Sequence, residues 1–266
     1  MYQGYKEITG DSNFINDYLY GFDAKDWSVN EYLVINNADD DSVKEMRFDG
    51  EKFVPLRLPS SKYVKAKNAL QRCALDLMLN PAITVVALLG GPGSGKTFLS
   101  MRMGQYHVSE KGTHAKMLGV REPRGEGKEV GFLPGELANK TGFFFAPLAQ
   151  QLDGGEFELK SLEMRGEIEE MIPYYMKGMT YKDTIMIVDE AEDLTAKQIR
   201  LIGTRVGENS KIFFAGDYKQ SLLENSESNP LVRMCEQFKG NPMFGCVFLG
   251  DDVRSETSRL FANLNI

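Results

Sequence analysis

Cysteine, histidine and tryptophan are scarce in this chain. The three cysteines, Cys73, Cys235 and Cys246, form no Cys-x-x-Cys pair and leave one unmatched in any pairing scheme. That argues against a disulfide framework and a cysteine zinc site, and for a reducing compartment, the cytoplasm. The two histidines, His107 and His114, lack metal-ligand spacing and read as surface or packing residues. Long apolar runs are absent too. The longest, over residues 83–89, falls far short of the ~18 residues a membrane span requires, so no membrane partner is expected. The start lacks the basic and then apolar character of a signal peptide. Basic charge is in deficit, with 31 Lys and Arg against 38 Asp and Glu and a net charge of −7. This excludes a generally basic nucleic-acid-binding coat but leaves room for a local basic groove. What is present suits an ordinary globular protein: 266 residues, 42% hydrophobic and 26% charged, enough for one large domain with a small appendage.

The texture changes near residue 62. Residues 1–62 hold the single tryptophan, Trp27, and many acidic and aromatic residues. Glu31-Tyr-Leu-Val-Ile35 reads as a strand, and Asp49-Gly50 between Met46-Arg-Phe and Lys52-Phe-Val is a hairpin signal. A small antiparallel β meander is expected there, as a structural appendage. Residues 63–266 form the second expected unit. Apolar residues at 66, 69, 70, 73, 77 and 78 follow a helical period and stop at Asn80-Pro81. The run over 83–89 has the continuous apolar character of a strand buried on both faces. Similar runs lie at 115–120, 184–188, 211–215 and 246–249, with helical stretches between them. An α/β fold with a five-stranded parallel sheet follows.

The chemistry begins at Gly90-Gly91-Pro92-Gly93-Ser94-Gly95-Lys96-Thr97, which satisfies G-x-x-x-x-G-K-[ST]. By chance this pattern arises in about one or two chains per hundred of this length, but here it follows a buried strand and opens a helix at Phe98. That order lets glycine backbone N–H groups wrap a phosphate at a helix N-terminus. Lys96 is expected to reach the β- and γ-phosphates of ATP, and the Thr97 hydroxyl to bind Mg²⁺. A second apolar strand ends in Asp189-Glu190. Asp189 suits Mg²⁺ through its water shell, and Glu190 suits activation of a water nucleophile, which favours hydrolysis over kinase-type transfer. A third run ends in Gly216-Asp217-Tyr-Lys-Gln220, where Asp217 and Gln220 would emerge beside the γ-phosphate.

Together these residues resemble the PhoH-like family of P-loop ATPases, relatives of the superfamily 1 helicases. The resemblance runs from about residue 68 to residue 264. It rests on Gln71 in Asn68-Ala-Leu-Gln71, Arg121, Gly127 and Gly131-Phe-Leu-Pro-Gly135. Further along it rests on Tyr175-Met-Lys177-Gly178, Asp189-Glu-Ala-Glu192, Thr204-Arg205-Val-Gly207, Gly216-Asp-Tyr-Lys-Gln220 and Arg254-Ser-Glu256. It implies a RecA-like lobe with strand order 5-1-4-3-2 and adenine recognition by Gln71. It also implies ATP hydrolysis coupled to single-stranded nucleic acid, RNA foremost. Two departures weaken the nucleic-acid half: Glu192 stands for a glutamine, and Lys177 and Met179 stand for arginines. An ATP-regulated assembly module without strand movement is the competing reading.

Arg121, Lys128 and Lys177 are the nucleic-acid candidates, and Arg121→Ala is expected to spare basal turnover. Phe143-Phe-Phe145 reads either as a base-stacking surface or as core. With only about 60 residues ahead of the ATPase unit, no ribonuclease domain is expected, and such a short version would suit a phage genome. No second lobe is expected after Arg254, so a homo-oligomeric ring, hexameric by resemblance, is expected. Arg205 or Arg254 would then complete the site, in trans or in cis.

Overall fold

The computed structural model describes residues 1–61, 64–123, 145–221 and 228–250. The N-terminal region forms β1 (Tyr5–Gly10), α1 (Ser12–Tyr20), β2 (Tyr32–Asn37), β3 (Val43–Phe48) and β4 (Phe53–Pro55), in a sheet of order β1-β2-β3-β4. The Asp49-Gly50 hairpin forms as expected. Gly50 takes φ +110°, and the Asp49 carboxylate accepts from the backbone N–H groups of Glu51 and Lys52. The expected meander needs correction at β1, which runs parallel to β2. Strand β1 alternates polar and apolar residues only weakly, and α1 carries the chain back so that β2 starts at the same end.

The second sheet comprises β5 (Val85–Gly90), β6 (Lys116–Val120), β7 (Ile168–Met171), β8 (Thr184–Val188), β9 (Lys211–Gly216) and β10 (Phe244–Leu249). All neighbours are parallel, in the order β10-β5-β9-β8-β6-β7. Among the described residues the sheet therefore has six strands rather than five. Counted along the chain its order is 6-1-5-4-2-3: the expected 5-1-4-3-2 is corrected by the extra strand β7 beside β6, while the five expected strands keep their relative order. The additional strand, Ile-Glu-Glu-Met, lies at the edge, where only one side chain is fully buried. It lacks the apolar run that marks the others. Strand β9 separates β8 from β5, so the order that would mark a kinase is not observed.

Helices α2 (Ala69–Leu79) and α3 (Lys96–Gln105) share one face with α4 (Gly155–Met164), while α5 (Ala196–Gly203) and α6 (Pro230–Phe238) cover the other. The caps follow from sequence: Asn68 accepts from Gln71 N–H, and Thr195 with Gln198 forms a capping box. The two sheets are joined through Asp76. Its carboxylate accepts from Tyr32 Oη at 2.7 Å, Arg47 Nε at 2.9 Å and Arg57 N–H at 2.7 Å. Arg47 also donates to Asn30, whose amide reaches the Pro242 and Phe244 carbonyls. All three cysteines are free and buried. Among the described residues no helix is long and apolar enough to cross a membrane.

Candidate nucleotide site

Parallel strands deliver their carboxyl ends to one edge of the sheet, where open α/β sheets bind ligands. The loop after β5 turns on three glycines with left-handed or related backbone: Gly90 (φ +151°), Gly93 (φ +79°) and Gly95 (φ +93°). At Gly90 a Cβ would lie 2.2 Å from the Leu249 carbonyl oxygen, so a side chain there is excluded. Gly91 and Pro92 complete the turn, both half-buried, and Ser94 Oγ closes it on the Gly91 carbonyl at 2.9 Å. Lys96 donates to the Gly90 and Gly91 carbonyls, each at 2.8 Å. Helix α3 starts at once at Lys96, with Gly95 as its N-cap and no side-chain cap, so its N-terminus opens onto the loop.

Asp189 follows β8, and its carboxylate is buried between two donors. Thr97 Oγ1 donates to Oδ1 at 2.7 Å, and Arg121 donates to Oδ2 at 3.2 Å. Burial raises the Asp189 pKa, with Arg121 opposing. Glu190 adopts φ +49°, a left-handed conformation uncommon for a residue with a Cβ. Its carboxylate is half-exposed and accepts from Arg121 at 3.1 Å. Glu192 is buried, and among the described residues its Oε2 has no hydrogen-bond partner. Burial, reinforced by a hydrogen bond to Glu190, pushes its pKa up to about 9, so it holds a proton at neutral pH. Asp217 is buried at the end of β9, and burial raises its pKa. Burial also lowers the Lys96 pKa, against the pull of Asp217, Glu192, Glu190 and Asp189.

Lys96, Thr97, Asp189, Glu190 and Asp217 therefore converge at this edge of the sheet. Gln71 is buried, donating through Nε2 to the Ser94 carbonyl at 3.0 Å and accepting from Lys67 N–H at 2.8 Å. It braces the phosphate loop while lining a cleft of about 520 Å³ with Gly93, Phe98, Gln150 and Gln151. The two glutamines, and Lys65 and Lys67 beside them, come from segments that carry no motif.

Two expectations change, at Arg205 and Arg121; Gln220 and Lys177 are simply placed. Gln220 is exposed on a short turn, its backbone N–H donating to the Asp217 carbonyl. Arg205 lies at the amino end of the sheet, where its carbonyl accepts from Tyr181 N–H and its guanidinium donates to the Met179 carbonyl at 3.1 Å. The length of β8, roughly 15 Å at ~3.3 Å per residue, separates that end from Asp189, so Arg205 does not serve this site in cis. Lys177 is exposed beside Tyr174, with its ammonium 5.5 Å from the ring centre. Arg121 grips the acidic pair instead of facing an open groove, which removes the basis for expecting Arg121→Ala to spare turnover. Phe145 is fully buried, as core. Lys128, Arg254 and Phe143-Phe144 lie outside the described residues.

Residues 63–264 match the family described as PhoH-like protein. The chain is 34% identical over 210 residues to Protein PhoH2 of Bacillus subtilis, covering 76% of this chain and 47% of that protein. It is 30% identical over 233 residues to Protein PhoH2 of Thermobispora bispora, covering 85% and 50%. To Protein PhoH of Escherichia coli K12 it is 31% identical over 172 residues, covering 62% and 48%. The chain thus spans about half the length of these curated relatives.

Proposed function

This chain belongs to the PhoH-like family, and from that premise we propose that it is a Mg²⁺-dependent ATPase whose turnover responds to single-stranded nucleic acid, RNA foremost. The observation that carries the first half is the 2.7 Å hydrogen bond from Thr97 to Asp189. It joins the phosphate loop to the acidic strand, with Lys96 and Glu190 alongside. The two oxygens suit Mg²⁺, a hard cation that takes few protein ligands and keeps its waters and phosphate oxygens. Thr97 and Asp189 would hold it, and when bound it neutralises charge on the phosphates. The loop N–H groups and Lys96 bind and orient the triphosphate. Glu190 takes a proton from the attacking water, worth roughly 10²- to 10⁴-fold. Neutral Glu192 can donate a hydrogen bond to Glu190, much as a glutamine amide would.

The nucleic-acid half rests on the family resemblance and on the exposed Tyr174, Tyr175 and Lys177. Rings and cations of this kind suit bases and phosphates. A homo-oligomeric ring, hexameric by resemblance, in the cytoplasm completes the proposal. Its completing cation would be Arg205 from a neighbouring subunit, or Arg254. Mixing Lys96→Ala with Arg205→Ala subunits should then restore turnover, and no recovery would leave Arg205 without a role in trans. The test of the main reading is ATP turnover with and without single-stranded RNA and DNA. Stimulation that fades steeply with salt is expected. Steady turnover unmoved by either strand would favour the assembly-module reading.

A further inference from the structure

Arg121 stands one residue past β6, and β6 pairs with β8, so its guanidinium meets both carboxylates that follow β8. One arm reaches Asp189 Oδ2 at 3.2 Å and the other Glu190 Oε1 at 3.1 Å. The remaining Asp189 oxygen takes the Thr97 hydroxyl. In the sheet order, β6 lies on the far side of β8 from β5 and its phosphate loop. The arginine therefore ties the Glu190 carboxylate to the β6 side of β8. An oxygen already engaged by a guanidinium is also a poorer acceptor for a proton from water.

We propose that Arg121 is a positioning residue that restrains basal hydrolysis by clamping Glu190 to Asp189, and that a nucleic-acid phosphate competes for its guanidinium and frees Glu190. A phosphodiester offers the paired oxygens that can replace two carboxylates on one arginine. The Glu190 arm is the one to yield, because Glu190 is 47% exposed whereas Asp189 is 4% exposed. The second clause rests on the reading of the protein as an ATPase that responds to single strands. The first stands on the ion-pair geometry alone.

The test compares wild type with Arg121→Ala and Arg121→Lys. Without nucleic acid, Arg121→Ala should raise kcat roughly fivefold, the worth of one partly exposed ion pair, with little change in KM. Arg121→Lys, which makes one contact in place of two, should fall between. Adding a saturating RNA oligonucleotide should raise wild-type turnover and leave Arg121→Ala nearly unchanged. A readout without turnover comes from Glu190→Gln. In that background Arg121→Ala should lower severalfold the Mg²⁺ concentration for half-maximal binding of a fluorescent ATP analogue, because Asp189 Oδ2 is released. Thermal melts identify a variant that fails to fold, and the lysine variant then carries the test. Basal kcat that falls or stays within twofold in Arg121→Ala overturns the clamp. Full stimulation retained in that variant overturns the competition. If wild type responds to no strand while basal kcat still rises in the variant, the clamp stands and the nucleic-acid reading fails.

Discussion

Replacing Asp76 with alanine tests the joint between the two sheets. The carboxylate is 1% exposed and accepts three hydrogen bonds, from Tyr32, Arg47 and the Arg57 backbone. Its removal leaves the Arg47 guanidinium, only 12% exposed, without its charge partner, and leaves the fully buried Tyr32 hydroxyl without an acceptor. Breaking one side of a buried ion pair costs about 3–5 kcal/mol. At ~2–4 °C per kcal/mol for a chain of this size, the melting temperature should drop by about 6–20 °C. Differential scanning calorimetry at pH 7 measures it. The cost is assigned to stranded polar groups, so apolar replacement of the set, Tyr32→Phe with Arg47→Met and Asp76→Leu, should recover much of the loss. A drop below about 3 °C for Asp76→Ala, or no recovery in the triple variant, would refute the reasoning.

Two buried groups give opposed pH dependences. Burial raises the Glu192 pKa to about 9, so between about 4.5 and 9 the folded state holds a proton that the unfolded chain releases, and stability falls as pH rises. Glu192→Gln keeps the shape of the protonated form, and its stability should rise relative to wild type from pH 7 to pH 9 in urea melts. Burial lowers the Lys211 pKa to about 7, so between about 7 and 10.5 the folded state gives up a proton that the unfolded chain keeps, and stability rises with pH. Lys211 also donates to the Met78 and Asn80 carbonyls at 2.7 Å each. Lys211→Met should therefore lose roughly 1–3 kcal/mol at neutral pH and lose stability relative to wild type as pH climbs to 9.

The phosphate loop was legible in sequence because its chemistry is local: glycine, lysine and threonine act within one turn. The central strands were legible for a similar reason, since burial on both faces demands an unbroken apolar run, as in Ile185-Met-Ile-Val188. Strand β7 was not, because an edge strand tolerates Glu169 and Glu170. Strand β1 was hidden by its parallel pairing, which depends on where α1 returns the chain. The role of Arg121 could not be read at all, because residue 121 meets residues 189 and 190 only through the pairing of β6 with β8. The position of Arg205 depends in the same way on which end of the sheet its loop closes.

The central claim, that this edge of the sheet binds and hydrolyses ATP, is tested most directly by measuring nucleotide affinity and turnover together in Lys96→Ala and Glu190→Gln. Lys96 supplies charge to the triphosphate, so its loss should abolish tight binding and with it turnover. Glu190→Gln keeps shape and hydrogen bonding but removes the proton acceptor. It should bind ATP like wild type while kcat falls by about two to four orders of magnitude. Equal loss of binding in both variants, or near-normal turnover in Glu190→Gln, would contradict the account.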